Sequence, residues 1–84
     1  MAYQITINRN ALKALEKIND PDYTNIKTAI YALANDPRPF GYKKLKGRDS
    51  FRIRVGNYRI IYDIFDNLLL LDVIDLGYRK DIYE

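Results

Sequence analysis

The residues best equipped for chemistry in this chain are cations crowded into its middle. Residues 37–59 carry eight basic side chains, among them Lys43, Lys44, Lys46, Arg48, Arg52, Arg54 and Arg59, against the single acid Asp49. Residues 1–36 balance four basic with four acidic side chains, and residues 60–84 hold two basic and six acidic ones, so the net charge of +3 conceals a strong segregation. Guanidinium forks match phosphate oxygens two at a time and stay charged at any working pH. The middle segment therefore implies an anionic partner, nucleic acid first and an acidic protein segment second. The chain has no histidine and no cysteine. That excludes Ser-His-Asp and Cys-His catalysis, thiolate or imidazole zinc sites and disulfides, and leaves Tyr, Lys, Arg, Asp and Glu for any reaction. No metal and no cofactor is expected, and a reducing compartment is tolerated.

Strand parity gathers the arginines. If Gly56-Asn57 closes a two-residue hairpin, Val55 faces Tyr58, Arg54 faces Arg59, Ile53 faces Ile60 and Arg52 faces Ile61. Phe51, Ile53, Val55, Tyr58, Ile60, Tyr62 and Ile64 then line an apolar face, and Arg52, Arg54 and Arg59 converge on the other. Like charges directly across a ladder cost a fraction of a kcal/mol, so stability alone would not select Arg54 beside Arg59. A bound anion would. The competing reading is ordinary decoration of a solvated strand, with Asp63, on the same face, as a surface partner for Arg59.

The elements that must position this face follow from periodicity. Tyr3, Ile5 and Ile7 alternate as in a half-buried strand. Leu12, Leu15 and Ile18 recur at helical spacing after Asn8 or Asn10 as N-cap. Asp20-Pro21 offers a stop and a restart, and Tyr23, Ile26, Ile30 and Leu33 predict a second amphipathic helix to about Asn35. So short a joint predicts an antiparallel helix hairpin. Asp36-Pro37-Arg38-Pro39 breaks the helix, and residues 40–50 read as a basic loop. Phe51–Val55, Tyr58–Ile64 and Leu68–Leu76 read as three strands joined at Gly56-Asn57 and Asp66-Asn67. The fold class is α+β: an N-terminal strand, two helices on one sheet face, then a three-stranded antiparallel meander. Leu12, Leu15, Ile26, Ile30 and Leu33 are expected in the core, with Phe51, Tyr58 and Tyr62 beside them, whereas Tyr42 and Tyr78 flank basic residues and suit base stacking.

Eighty-four residues make one domain, 1–84, with a modest core. The longest uncharged stretches fall far short of the ~20 apolar residues a membrane span needs, so no membrane partner and a cytoplasmic location are expected.

The run from Phe51 to Ile64, Phe-Arg-Ile-Arg-Val-Gly-Asn-Tyr-Arg-Ile-Ile-Tyr-Asp-Ile, and the later Leu76-Gly77-Tyr78-Arg79-Lys80-Asp81-Ile82-Tyr83 closely resemble the signature of the RelE/ParE toxin superfamily. Lys44-Leu45-Lys46-Gly47 and the order of elements agree, so the resemblance spans essentially the whole chain. It implies a RelE-like, microbial-ribonuclease-like fold and a toxin that cleaves mRNA in the ribosomal A site without metal, by attack of a ribose 2′-OH on the adjacent phosphate. By position, Tyr83 would be the general base, Arg79 the general acid or leaving-group stabiliser and Arg59 the grip on the scissile phosphate. Arg52 and Arg54 would stabilise developing charge; the best-known relatives have lysines there, and arginine keeps the charge without readily losing a proton. Tyr78 stands where many relatives have histidine and adds a stacking face. A phenol with an ordinary pKa near 10 costs about 4 kcal/mol to use as a full base at pH 7, which neighbouring guanidiniums would reduce.

The resemblance also implies a RelB-like antitoxin that masks the basic face, with operator DNA contacted only through that complex. Nucleic acid would be held by Lys43, Lys44, Lys46, Arg48 and Tyr78. The ParE branch of the superfamily supplies the alternative, a DNA gyrase inhibitor without nuclease activity. A basic module that binds only an acidic protein segment is the third reading.

Overall fold

The computed structural model describes residues 2–78. Strand β1, Gln4–Ile7, leads into helix α1, Arg9–Glu16, and helix α2, Asp22–Ala32. Then come a short strand β2, Lys43–Lys44, and the long strands β3, Phe51–Val55, β4, Tyr58–Phe65, and β5, Leu70–Tyr78. The five strands form one sheet in the order β1-β5-β4-β3-β2, antiparallel throughout except where β1 lies parallel to β5. The α+β reading stands, as two helices packed on a mixed five-stranded sheet.

Local chemistry explains the helix starts. Asn8 holds extended backbone, and its side-chain oxygen accepts the Ala11 N–H at 3.0 Å, as an N-cap does. Its amide nitrogen meanwhile donates to the Ile74 carbonyl at 2.8 Å, tying the start of α1 to β5. At the second helix the N-cap is Pro21, and Asp20 just before it accepts the Thr24 N–H of the first turn at 2.9 Å. Ala11 and Leu15, one helical turn apart, face the core, so Leu12 is left 43% exposed, against the expectation of a core residue.

Ile26, Ile30 and Leu33 of the second helical segment close over Ile53, Ile60, Tyr62, Leu71, Val73 and Leu76 on one sheet face. Burying these aliphatic side chains is the main stabilising term, at about 1.5–3 kcal/mol for each large one. Leu45 and Ile61 are buried but stand outside that cluster among the described residues, and Ile61 is paired with Arg52 on the opposite face.

Three features depart from the expected meander. The basic loop contains β2, whose Lys43 and Lys44 pair with Arg52 and Phe51. The β4–β5 connection is a 3₁₀ turn at Asp66–Leu68 followed by Leu69 in left-handed backbone (φ 49°), rather than a two-residue hairpin turn, so β5 starts later and runs to Tyr78. A bulge then shifts the ladder: Tyr62 faces Val73 but Ile61 faces Asp75. Ile74 is the extra residue, and it resets the parity of everything after it.

Candidate functional site

The β3–β4 hairpin has the anticipated register, with Val55 on Tyr58, Arg54 on Arg59, Ile53 on Ile60 and Arg52 on Ile61. Gly56 supplies the left-handed turn residue at φ 59°. Directly paired residues share a face, so Arg52, Arg54 and Arg59 lie together on the side away from the helices. Their environments differ. Arg54 is exposed, Arg59 is half-buried, and Arg52 is only 4% exposed and donates from Nη1 to the Gly41 carbonyl at 3.3 Å. A buried guanidinium held by a backbone carbonyl keeps its charge and loses its freedom, which is how a fixed positive field is built.

Register sorts the remaining basic residues. Lys43 pairs with Arg52 and so joins this face, whereas Lys44 pairs with Phe51, belongs to the opposite parity and makes an exposed ion pair with Asp49 at 3.4 Å. Lys46 and Arg48 sit in the turn that leads into β3, where Gly47 takes φ 71°. Arg48 is drawn in by its Nε, which donates at 3.3 Å to the hydroxyl of Ser50, and that hydroxyl donates to Asp63. Asp63, the surface partner that the decoration reading offers to Arg59, accepts from the hydroxyl of buried Ser50. Sequence reading missed Ser50. The available signal was its parity with Arg52, two residues on, which places a hydroxyl at the edge of the arginine face.

Tyr78 is brought elsewhere. Beyond the bulge it pairs with Tyr58, its ring meeting the Tyr58 ring edge-on at 5.3 Å, on the helix-covered side and at the end of a regular strand. Were Ile74 paired in a regular ladder with no bulge, parity would place Tyr78 among the arginines. The same shift sets Asp75 on the arginine side although Asp72, three residues earlier, is there too, opposite Asp63. Asp63, Asp72 and Asp75 make one half of this face, β5 and the Asp63 end of β4, acidic and leave the other half, β2, β3 and the Arg59 end of β4, basic, and Thr6 from β1 donates its hydroxyl to Asp72 at 2.8 Å. A polyanion is attracted to one half and repelled from the other. Arg79 and Tyr83 lie outside the described residues.

The segment 36–42 is fastened above the hairpin. The buried Tyr62 hydroxyl donates to the Pro37 carbonyl at 2.8 Å, and burial pushes this phenol well above the usual tyrosine range. Arg38 grips Asp66 through two nitrogens, at 2.9 and 3.4 Å, and lies 5.9 Å from the centre of the Phe51 ring. Asp66 also accepts the Tyr3 hydroxyl; Arg38 first and Tyr3 second hold its carboxyl below the ordinary carboxylate range. Tyr42 packs its ring on Phe51 at 5.9 Å, and Gly41 reaches Arg52. Among the described residues, no group of three or more His, Cys, Asp and Glu side chains is arranged to hold a metal, and no helix is long and apolar enough to cross a membrane.

Comparison with known proteins agrees with this architecture. The profile of the family described as "ParE toxin of type II toxin-antitoxin system, parDE" matches residues 5–83. The chain is 28% identical over 83 residues to the mRNA interferase toxin RelE of Escherichia coli K12, covering 95% of this chain and 86% of the relative. Among solved structures it resembles the archaeal RelE-RelB complex from Pyrococcus horikoshii, with 27% identity, a TM-score of 0.85 and coverage of 98% of this chain and all of that one. The intact E. coli RelBE toxin-antitoxin complex is similar at 26% identity and a TM-score of 0.79, covering 92% of this chain and 96% of that one. A profile match across nearly the whole chain, on a sheet and helix pair that superpose on RelE toxins, places this protein in the ParE toxin family of type II toxin-antitoxin systems, within the RelE/ParE superfamily.

Proposed function

We propose that the chain is a ribosome-dependent mRNA endoribonuclease that arrests translation and is neutralised by a RelB-like antitoxin. The observation that carries this reading is Arg54 directly across from Arg59 with Arg52 on the same face, a concentration of like charge that a phosphodiester would repay. The relatives named mRNA interferase support it.

In this reading RNA lies on the basic half of the arginine face. Arg59 grips the scissile phosphate while Arg52 and Arg54 meet the charge that builds on the phosphorane, and Lys43 and Arg48 hold the flanking backbone. Lys44, on the opposite parity, and Lys46, in the turn, act only as exposed charges near this surface. Tyr83 takes the proton from the attacking 2′-OH, and Arg79 supplies the proton or charge that the leaving 5′-oxygen requires. No metal enters the scheme. An antitoxin segment over the same face would exclude RNA, and the complex would meet operator DNA through the antitoxin.

Induction of the toxin followed by mapping of transcript ends, with and without ribosomes, tests the assignment. Ribosome-dependent cuts are expected in the wild type and are expected to vanish in Tyr83→Phe, with fold and RNA binding unchanged; cleavage at wild-type rates in that variant removes Tyr83 from the mechanism. The match to a family described by ParE keeps one second reading, a gyrase inhibitor, in which DNA replication stops before translation and no transcript ends appear.

A further inference from the structure

We propose that Phe40 is a stacking platform for a nucleobase of the RNA strand whose phosphates the arginine face holds, an inference that rests on the function proposed above. Phe40 is fully exposed, the most exposed large apolar side chain among the described residues. A lone apolar residue in water needs no explanation, so the argument lies in what surrounds it.

The first point is that the segment carrying Phe40 is held on both sides. Before it, Pro37 is bound by the Tyr62 hydroxyl and Arg38 by Asp66; after it, the Gly41 carbonyl is engaged by Arg52 and Tyr42 is packed on Phe51. Gly41 adopts φ 91°, backbone that a residue with a Cβ rarely takes, and this turns the chain sharply just after the ring. The backbone that carries the ring is thereby held in place, and such preorganisation lowers the cost of ordering the ring on stacking.

The second point is the cleft beside it. Phe40 and Pro39 border a cleft of about 590 Å³ whose apolar wall is Ala29, Ala32 and Leu33 of the second helical segment with Ile53 and Val55 of β3, and whose lip carries Lys43, Arg52 and Arg54. A flat apolar partner with an anion attached fits such a site, which is the description of a nucleotide. Asp36, also in the lining, gives an acceptor suited to an exocyclic amino group. The cationic lip is continuous with the face that binds phosphate in the proposed mechanism, so a strand running over Arg52 and Arg54 delivers its neighbouring base to Phe40. Tyr42 and Tyr78, the aromatics that sequence nominates for stacking, are each already against another ring, whereas Phe40 is open to solvent.

The experiment measures binding of the protein to short, uncleavable 2′-O-methyl RNA by fluorescence anisotropy, with Phe40→Ala, Phe40→Leu and Phe40→Trp. A second series replaces one nucleotide at a time by an abasic residue. Because Phe40 lies outside the core, all three variants are expected to melt as the wild type does. Phe40→Ala and Phe40→Leu are expected to weaken binding by about 5- to 150-fold, the range for loss of one stacked base, and Phe40→Trp to restore it. One abasic position is expected to weaken the wild type equally and to cost the Ala variant nothing further. Antitoxin affinity is expected to be unchanged. Wild-type affinity in Phe40→Leu, an equal further loss on every abasic RNA, or a loss confined to the antitoxin overturns the proposal, the last making Phe40 a protein contact. Arg54→Gln separates the two levels. If it leaves RNA affinity unchanged, the proposed function loses its site and this inference falls with it; if it weakens binding while Phe40→Ala does not, only the stacking role is refuted.

Discussion

Replacing Tyr62 by Phe removes one oxygen from the best-buried aromatic of the core. The ring still fills its place in the apolar cluster, so no cavity opens; what is lost is the 2.8 Å hydrogen bond to the Pro37 carbonyl. A bond of this kind is worth about 0.5–1.5 kcal/mol, and a carbonyl left partly buried without its donor adds to the penalty. The expected cost at neutral pH is therefore about 1–2 kcal/mol, or a fall in Tm of roughly 5–15 °C for a domain of this size. A second signature follows from ionisation. Burial holds the Tyr62 phenol above its ordinary value of 10.0, so its neutral form is favoured in the folded chain. The stabilisation is complete below about pH 10 and is lost as pH rises from there towards the folded value, at up to about 1.4 kcal/mol per pH unit. Urea unfolding of wild type and Tyr62→Phe at a series of pH values measures both effects. The stability gap should be constant through neutrality and close above pH 10. Equal stability of the two proteins at pH 7, or a gap that widens in alkali, would refute the placement of this hydroxyl.

Further outcomes follow from other contacts. Asn8→Ala loses both the helix cap and the bond to Ile74, and is expected to cost about 1–2 kcal/mol, seen as a lower urea midpoint with an unchanged slope. For single-stranded RNA the slope of log affinity against log salt is expected to become shallower by about 0.7 for each phosphate contact removed, so Arg54→Gln and Arg59→Gln should each reduce it by about that amount in a salt titration; an unaltered slope would mean that these arginines bind protein instead. Arg38 and Tyr3 hold the Asp66 carboxyl below its ordinary 3.8, so its contribution is present above that pH and is lost as pH falls through the lower folded value; Asp66→Asn should lose less stability than the wild type over that window when acid unfolding of the two proteins is compared.

The hairpin at the centre of the site was legible because its information is local. Gly56-Asn57 fixes the turn, the turn fixes the register, and period two then puts Arg52, Arg54 and Arg59 on one face. Contacts that span long stretches were not legible. The Tyr62 hydroxyl meets Pro37 across 25 positions and Arg38 meets Asp66 across 28, and neither residue type announces its partner. The burial of Arg52 depends on that loop path, and so does the exposure of Phe40. Tyr78 was misplaced for a different reason, since one extra residue in β5 inverts parity and carries it to the other face. A trace of this was present: Asp72 and Asp75 stand at odd spacing in an otherwise apolar run, which a regular two-sided strand would not tolerate. Leu12 was assigned inward because it recurs with Leu15 and Ile18 at helical spacing, but the face that packs on β5 is that of Ala11 and Leu15, where the small Ala11 lets α1 approach the sheet.

The parallel seam between β1 and β5 constrains how the molecule is born. Gln4 pairs with Leu70 and Ile7 with Val73, so the first strand made must wait for the last before its ladder can form. On an emerging polypeptide, Ile5, Ile7 and the apolar sides of both helices are synthesised well before Leu71 and Val73 exist to cover them. Closure of this seam waits until Leu70 to Val73 have been made, and closing so distant a pairing is slow compared with local hairpin formation. The toxin fold is therefore completed last at this seam, and until then the apolar sides of β1 and the helices lack their cover.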